Sequence, residues 1–196
     1  MKTLAQLALS LGLMCSFVLS AGGGTTDDTK NPAAPSGFNR GQVTKMALLV
    51  SLGKQQQGLV SIIETSFLES LLPKGYDMVT RESLEQAAKK SSRTREEALD
   101  SATAAGLGKQ ANASHIIVVK MPVFERTASV NRNNRTKTFS YNVFITAEVI
   151  EVATERVVMV AQGKKSALDG IITINGGPDA AAVVAKIAKR AAAQIP

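Results

Sequence analysis

The chain has 196 residues, of which 44% are hydrophobic and 20% charged, and this length and composition predict one globular domain with appendages. Aromatic residues make up only 4% and tryptophan is absent, so the core must be built from aliphatic side chains. The formal net charge of +7 predicts attraction to anionic surfaces such as nucleic acid, lipid headgroups or acidic wall polymers.

The first 21 residues have the three parts of a secretory signal. Lys2 supplies a basic start, residues 4–19 are uncharged and mostly apolar, and Ser20 and Ala21 are small. The apolar stretch is too short and too weakly flanked for a membrane span. We therefore expect residues 1–21 to be a signal peptide cleaved near Ser20 or Ala21, with a buried N-terminal helix as the alternative. We expect export to the periplasm, and association with the outer membrane is left open. Export makes nucleic acid the least expected partner.

Cys15 is the only cysteine in the chain. Lipoprotein signals place small residues directly before the modified cysteine, whereas Leu13 and Met14 stand there, and residues 16–19 continue the apolar run. Lipidation of Cys15 is therefore disfavoured. Cleavage near Ala21 would leave a mature protein without cysteine, which needs no disulfide chemistry even in an oxidising compartment.

A spacer separates the signal from the predicted domain. Residues 22–42 are rich in Gly, Thr, Asp and Pro and show no periodicity, which is typical of a flexible segment. We expect the folded domain to occupy residues 43–196.

The first half of that domain is predicted to alternate strands and helices. A short apolar run over residues 45–50 indicates a buried strand, and apolar side chains at helical spacing indicate a helix over 59–71. A second short strand is predicted over 76–80, where Thr80 is placed to cap the next helix. A further helical piece is predicted from Thr94 to about Ala105.

The glycines after that piece are predicted to end it. Gly106 and Gly108 follow its last apolar positions, and glycine is the usual residue just past a helix end. The strongest strand of the chain, over residues 114–121, comes next, and its continuous apolar run indicates burial on both faces.

The remainder of the chain is predicted to be an antiparallel meander followed by a helix. The meander strands are expected over residues 127–130, 139–151 and 156–162, and a last helix follows Pro178. The predicted fold class is therefore α/β, a single mixed-sheet sandwich in the order strand, helix, strand, helix, strand, then the meander and a C-terminal helix.

Three stretches together resemble a family of bacterial envelope proteins. Gly75–Gln86 looks like the family's strand followed by an arginine that opens a helix with an xxLxxLL pattern. Leu107–Val118 is similar to its LGxxxxADxxVxG approach to the central strand, and Val149–Val158 resembles its lvDtxTGevv hairpin. The family comprises the curli-secretion lipoprotein CsgG, the LpoB activators of penicillin-binding proteins and the N-terminal domain of TolB, and the likeness covers residues 44–195.

The chain departs from that pattern at three places. Glu155 stands where the family favours glycine, so we expect a different type of turn there, and Ser114 stands where aspartate is usual. The curli pore carries long membrane-inserted hairpins, whereas the corresponding link here, Asn131 to Lys137, is short and polar. The resemblance therefore implies a non-pore member that docks on a partner, such as a penicillin-binding protein or a secretion component.

No catalytic or metal site is predicted. His115 is the only histidine and lies among Ile and Val, so a core or surface role is favoured over catalysis. A secreted hydrolase that uses His115 remains a minor alternative. One histidine without a usable cysteine makes a zinc site improbable, and Gly53-Lys54 lacks the pattern of a phosphate loop. No cofactor is expected, and the protein is predicted not to be an enzyme.

The candidate binding site is a basic hairpin. Its predicted residues are four cations and an aromatic neighbour: Arg126, Arg132, Arg135, Lys137 and Tyr141. They could hold an acidic partner, a wall polymer or lipid headgroups. The alternative without a binding function is a solvated hairpin tip whose charges prevent the sheet edges from pairing with another chain.

Two functions of different kind follow from these features. The leading hypothesis is a non-enzymatic periplasmic protein that docks on an envelope partner and assists assembly or regulation of a secretion or cell-wall machine, with oligomerisation left open. The alternative is a basic binding module for anionic polymer, lipid headgroup or nucleic acid, acting through residues 126–137.

Overall fold

The structure is a computed structural model, and it describes residues 34–35, 37–90, 100–131, 136–165, 172–173 and 180–196. The predicted signal peptide and Cys15 lie outside these ranges. The strands are β1 (Ala34–Pro35), β2 (Met46–Ser51), β3 (His115–Asn131), β4 (Thr136–Glu151), β5 (Arg156–Lys165) and β6 (Ile172–Thr173). The α-helices are α1 (Val60–Leu71), α2 (Arg81–Lys90), α3 (Ser101–Gln110) and α4 (Ala180–Ala193). Within those ranges, every helix is too short or too polar to cross a membrane.

One mixed sheet organises the domain. Its strands lie in the order β1, β5, β4, β3, β2, and β6 pairs with β4. β2 runs parallel to β3, whereas β3, β4 and β5 form an antiparallel meander. The predicted α/β class, with a meander and a C-terminal helix, is confirmed.

The centre of β3 is buried on both faces, as its apolar run predicts. Ile116, Ile117, Val118 and Val119 are all 0% exposed. Ile117 and Val119 pack in the core beneath α1 and α4, whereas Ile116 and Val118 pack in a second core beneath α2 and α3. Since successive side chains of a strand point to opposite faces, helices must cover both sides of β3. The domain therefore has three layers at this point.

Helix α4 lies close against the sheet at Gly163 of β5. A methyl group added at Gly163 would lie 2.3 Å from the carbonyl oxygen of Ile187 and 2.9 Å from its Cγ2 atom. Only a residue without a side chain permits this approach, which lets the apolar side of α4 enter the core. Its buried residues are Val183, Val184, Ile187, Ala188, Ala191 and Ala192.

A lysine links the end of α1 to the end of α4. After α1, a 3₁₀ turn over Leu72–Lys74 ends at Gly75, which has a φ of 81°. The Lys74 ammonium donates to the carbonyl oxygens of Ala193, at 3.0 Å, and of Ile195. These carbonyls have no hydrogen-bond partner within a helix, so the ammonium group supplies one. The cation also interacts favourably with the negative end of the α4 dipole. Burial, and secondarily the charge of Arg40, lower the pKa of Lys74.

The predicted strand over residues 76–80 is reduced to one bridge. Met78 pairs with Met46 in parallel fashion, and the neighbouring residues form no ladder. The cap predicted at Thr80 is present, because its hydroxyl accepts a hydrogen bond from the Ser83 amide at 3.3 Å.

The predicted bounds of the next helix are wrong. Its described part, α3, begins after Asp100, whose carboxylate accepts a hydrogen bond from the Thr103 amide at 2.7 Å. Gly106 and Gly108, which were expected to end a helix, lie inside α3. A methyl group at Gly108 would lie 2.7 Å from Cγ2 of Val152, so this glycine serves close packing. Residues 94–99 of the predicted piece lie outside the described residues.

One prediction about the meander is corrected, and the turn at Glu155 is defined. The run expected to break between residues 121 and 127 is one continuous strand, because an irregularity between Lys120 and Val123 absorbs the change of register. Glu155 has a φ of 59°, the left-handed conformation that glycine adopts most easily. Glu155 bears a cost of ~1–2 kcal/mol for this conformation.

Ordered structure begins before residue 43. β1 pairs with Met159 and Val160 of β5, inside the segment predicted to be a spacer. Phe38 packs against the core and meets the His115 ring edge to face, with 6.0 Å between the ring centroids.

Candidate functional site

The basic hairpin projects beyond the layers of the domain. β2 ends at Ser51, opposite Lys120, and β5 ends at Lys165, opposite Val143. Past these points β3 and β4 continue as a two-stranded ribbon, which we call the distal arm and define as residues 125–131 and 136–142. Along its length the arm has one further pairing in the described part of the chain, between β6 and residues 138–139 of β4.

The outer edge of β3 is unpaired over the same stretch. From Met121 to Asn131 no described strand pairs with it on the side away from β4. Such an edge presents a row of backbone N–H and C=O groups that can pair with another chain. Val130 on this edge is 60% exposed.

The structure describes three of the five predicted site residues, and two of them, Arg126 and Tyr141, face each other in the register of β3 and β4. Arg126 is exposed, and its guanidinium lies 4.0 Å from the centroid of the Phe139 ring on the neighbouring strand. Lys137 lies in β4 opposite Val130. Arg132 and Arg135 lie outside the described residues.

Tyr141 lies in the core. It is 5% exposed and packs against Phe124, with 6.3 Å between the ring centroids. It shares a face with Val143 and Ile145, both fully buried, so the two-residue period of the strand places it inward. Its part in the arm is to anchor the ribbon to the domain.

A cleft lies at the opposite end of β3. Its volume is about 380 Å³, and it opens where β3 begins, where β4 ends and where the second half of α3 passes. The polar residues that line it include Lys109, His115, Glu151 and Glu155. Sequence reasoning missed this grouping, because Lys109 and His115 are far from Glu151 and Glu155 in the chain, and the pairing of β3 with β4 brings these two parts together.

His115 is the most constrained of these residues. It is 3% exposed, and its Nδ1 lies 3.1 Å from the Ser114 hydroxyl. Burial lowers the pKa of His115, and the carboxylate of Glu151 opposes that shift. In the described ranges no group of three His, Cys, Asp or Glu side chains is placed to hold a metal ion.

Comparison with known proteins gives similarities of structure only. No protein-family model matches the sequence, and no curated protein matches it. The chain is similar to a PelC dodecamer from Paraburkholderia phytofirmans, with 13% identity and a TM-score of 0.44, over 81% of this chain and 91% of that one. It is similar to the LpoB C-terminal domain from Escherichia coli, with 14% identity and a TM-score of 0.41, over 66% of this chain and 87% of that one.

A lipoprotein from Neisseria meningitidis is a third such structure, with 9% identity and a TM-score of 0.46, over 65% of this chain and 86% of that one. LpoB, one of the proteins that the sequence resembles, is thus among its structural neighbours, whereas no sequence family is found.

Proposed function

We propose that this chain is an exported, non-enzymatic protein of the bacterial cell envelope that docks on a second envelope protein through its distal arm. Docking would assist the assembly or regulation of a secretion or cell-wall machine. The observation that carries the proposal is the unpaired edge of β3 from Met121 to Asn131. The signal-like start of the sequence, residues 1–21, supports the location.

The edge is long enough to bind an extended segment as an added strand. It spans eleven residues, from 121 to 131, and roughly half of them direct their backbone groups away from β4. Each backbone hydrogen bond formed with a partner contributes ~0.5–1.5 kcal/mol net. A two-stranded ribbon is only marginally stable in water, so a third strand would also stabilise the arm.

The charge of the arm and of the segment that joins its strands indicates an acidic partner. Residues 125–142 together contain four cations and one acid, Glu125, which gives a formal charge of +3. Two copies of this arm laid edge to edge would repel each other, whereas an acidic segment would be attracted. Arg126 is held over Phe139, and an arginine stacked in this way loses less freedom on binding.

Site-specific crosslinking in cells that express the chain tests this docking. A photoreactive residue replaces Ser129 on the exposed arm, and the matched control replaces Lys186, which is exposed on α4. We expect Ser129 to crosslink an acidic stretch of another envelope protein, identified by mass spectrometry, and Lys186 not to do so. Crosslinks from Ser129 only to copies of this chain, or to no protein above the Lys186 control, would overturn the proposal.

The alternative function, binding of an anionic polymer or lipid surface, is supported by the same positive charge. Its dependence on salt and on charge reversal distinguishes it from docking on a protein. Binding to anionic vesicles or to a polyanion falls steeply with added salt. If Arg126→Glu abolishes binding to vesicles but leaves the protein crosslink from Ser129 intact, the main role of the arm is to bind anionic lipid or polymer. If Arg126→Glu weakens the crosslink and Arg156→Glu on β5 does not, the docking proposal is supported.

A further inference from the structure

Alternate residues of β3 from Phe124 to Val130 form two rows on opposite faces of the ribbon. One row begins opposite the buried residues Val143 and Tyr141 of β4 and lies on the same face as these residues. This row, which we call the Arg126 row, consists of Phe124, Arg126, Ala128 and Val130. The other row, which we call the Thr127 row, consists of Glu125, Thr127 and Ser129. A strand added to the edge would therefore meet two rows of different chemistry.

Arg126 is the one charged residue of its row, and its neighbours there are apolar. Its guanidinium lies 4.0 Å from the centroid of the Phe139 ring, on the face that the contact between Phe124 and Tyr141 also occupies. Ala128, the next residue of the row, is exposed. Because an exposed cation–π contact is weak, the guanidinium can turn from the ring toward a carboxylate at the open edge. The row thus offers one positive charge between two apolar positions.

The Thr127 row carries the opposite charge. The Glu125 carboxylate accepts a hydrogen bond from the Asn142 side chain at 3.1 Å, which holds its negative charge on this face. Thr127 and Ser129 are exposed and present neutral hydroxyl groups. Like charges that face each other on neighbouring strands are destabilising, so an acidic residue of an added strand is disfavoured beside Glu125. The two rows therefore distinguish on which face a partner carries its acidic residue.

This inference rests on the proposed docking of an extended segment on the edge of β3. We propose that the segment is recognised by one acidic residue with an apolar residue two positions away on each side. The acid lies opposite Arg126, the apolar residues lie opposite Phe124 and Ala128, and the residues between them are polar and uncharged. Since this pattern is symmetric about the acid, it is the same for a parallel and an antiparallel segment. A shift of the pairing by one residue would exchange the two faces and lose the match.

Two synthetic peptides of identical composition and blocked ends test the pattern. The matching peptide is Val-Thr-Val-Thr-Glu-Thr-Val-Thr-Val, and in the control, Val-Thr-Val-Glu-Thr-Thr-Val-Thr-Val, the glutamate is exchanged with its threonine neighbour. Binding to the full chain is followed by nuclear magnetic resonance of the amides of residues 124–130, with α4 as the reference. We expect the matching peptide to bind about tenfold more tightly, because the control must place either its glutamate beside Glu125 or its valines on the Thr127 row.

Charge reversal at Arg126 separates the pattern from general attraction between charges. Arg126→Glu should lose the preference for the matching peptide and bind more tightly the version in which lysine replaces the glutamate. Arg156→Glu on β5, also an exposed position, should keep the original preference. The inference is overturned if the two peptides bind equally, if neither shifts the amides of residues 124–130, or if Arg126→Glu still prefers glutamate.

The crosslink from Ser129 tests docking itself, independently of the peptides. An envelope protein captured at Ser129, together with equal binding of the two peptides, removes the pattern and leaves the proposed function standing. A captured segment with an acid between two apolar residues at this spacing supports both.

Discussion

Gly163 is the point where a single methyl group should disturb the packing of a whole helix. In Gly163→Ala the new Cβ would lie 2.3 Å from the Ile187 carbonyl oxygen, whereas non-bonded atoms pack best at about 3.5 Å or more. Because the clash is with backbone, no side-chain rotation relieves it, and α4 must move away by roughly 1 Å. Overpacking of this kind costs ~1–3 kcal/mol, and we expect the upper end of that range.

Gly106→Ala is the matched control for that variant. No atom lies within 4 Å of a methyl group added at Gly106, which lies inside α3. Alanine there should stabilise the protein by ~0.5–1 kcal/mol, because glycine is the poorer helix former. Urea unfolding followed by far-UV circular dichroism measures both changes, which have opposite signs. Unchanged stability in Gly163→Ala would refute the close packing of α4 on β5.

Three further predictions concern single side chains. Lys74→Met should destabilise the fold by ~1–2 kcal/mol in the same urea assay, because the hydrogen bonds of Lys74 to the end of α4 are lost. Lys189→Met breaks an exposed ion pair with Glu69 and should destabilise the fold by under ~0.5 kcal/mol. Because burial lowers the pKa of His115, the unfolded chain binds a proton more tightly than the folded chain, so the free energy of unfolding should fall as the pH drops below ~6.5. Urea unfolding at a series of pH values should show this pH dependence in the unsubstituted chain and a weaker one in His115→Gln. Glu155→Gly should raise the melting temperature by relieving the left-handed strain, worth ~1 kcal/mol, and an unchanged melting temperature would contradict that strain.

The fold class could be read from the sequence because burial leaves a simple pattern. The apolar run at Ile116–Val119 predicts burial on both faces, and the alternation along β4 predicts one buried face. The same alternation predicts the burial of Tyr141. That residue lies two positions before Val143 and therefore on the same face of β4, although it is also close to the basic cluster in the sequence.

The parts that sequence reasoning missed depend on tertiary contacts. Gly106 and Gly108 look like helix terminators, and nothing local indicates that Val152 and Ile116 press against Gly108 from other elements. The Asp100 cap was the available signal for the true start of α3. The cleft residues could not be grouped, because the register that brings Glu151 opposite His115 is set by the whole β3–β4 ladder.

Amide hydrogen exchange along β3 tests the central claim most directly. The full chain is compared alone and with the envelope protein that Ser129 crosslinks, and exchange is followed from Met121 to Asn131 and in α4 as an internal reference. If the partner adds a strand to the unpaired edge, alternate amides of this stretch should exchange at least tenfold more slowly in the complex, with α4 unchanged. Unchanged exchange along the edge, with protection elsewhere in the domain, would contradict docking through the distal arm.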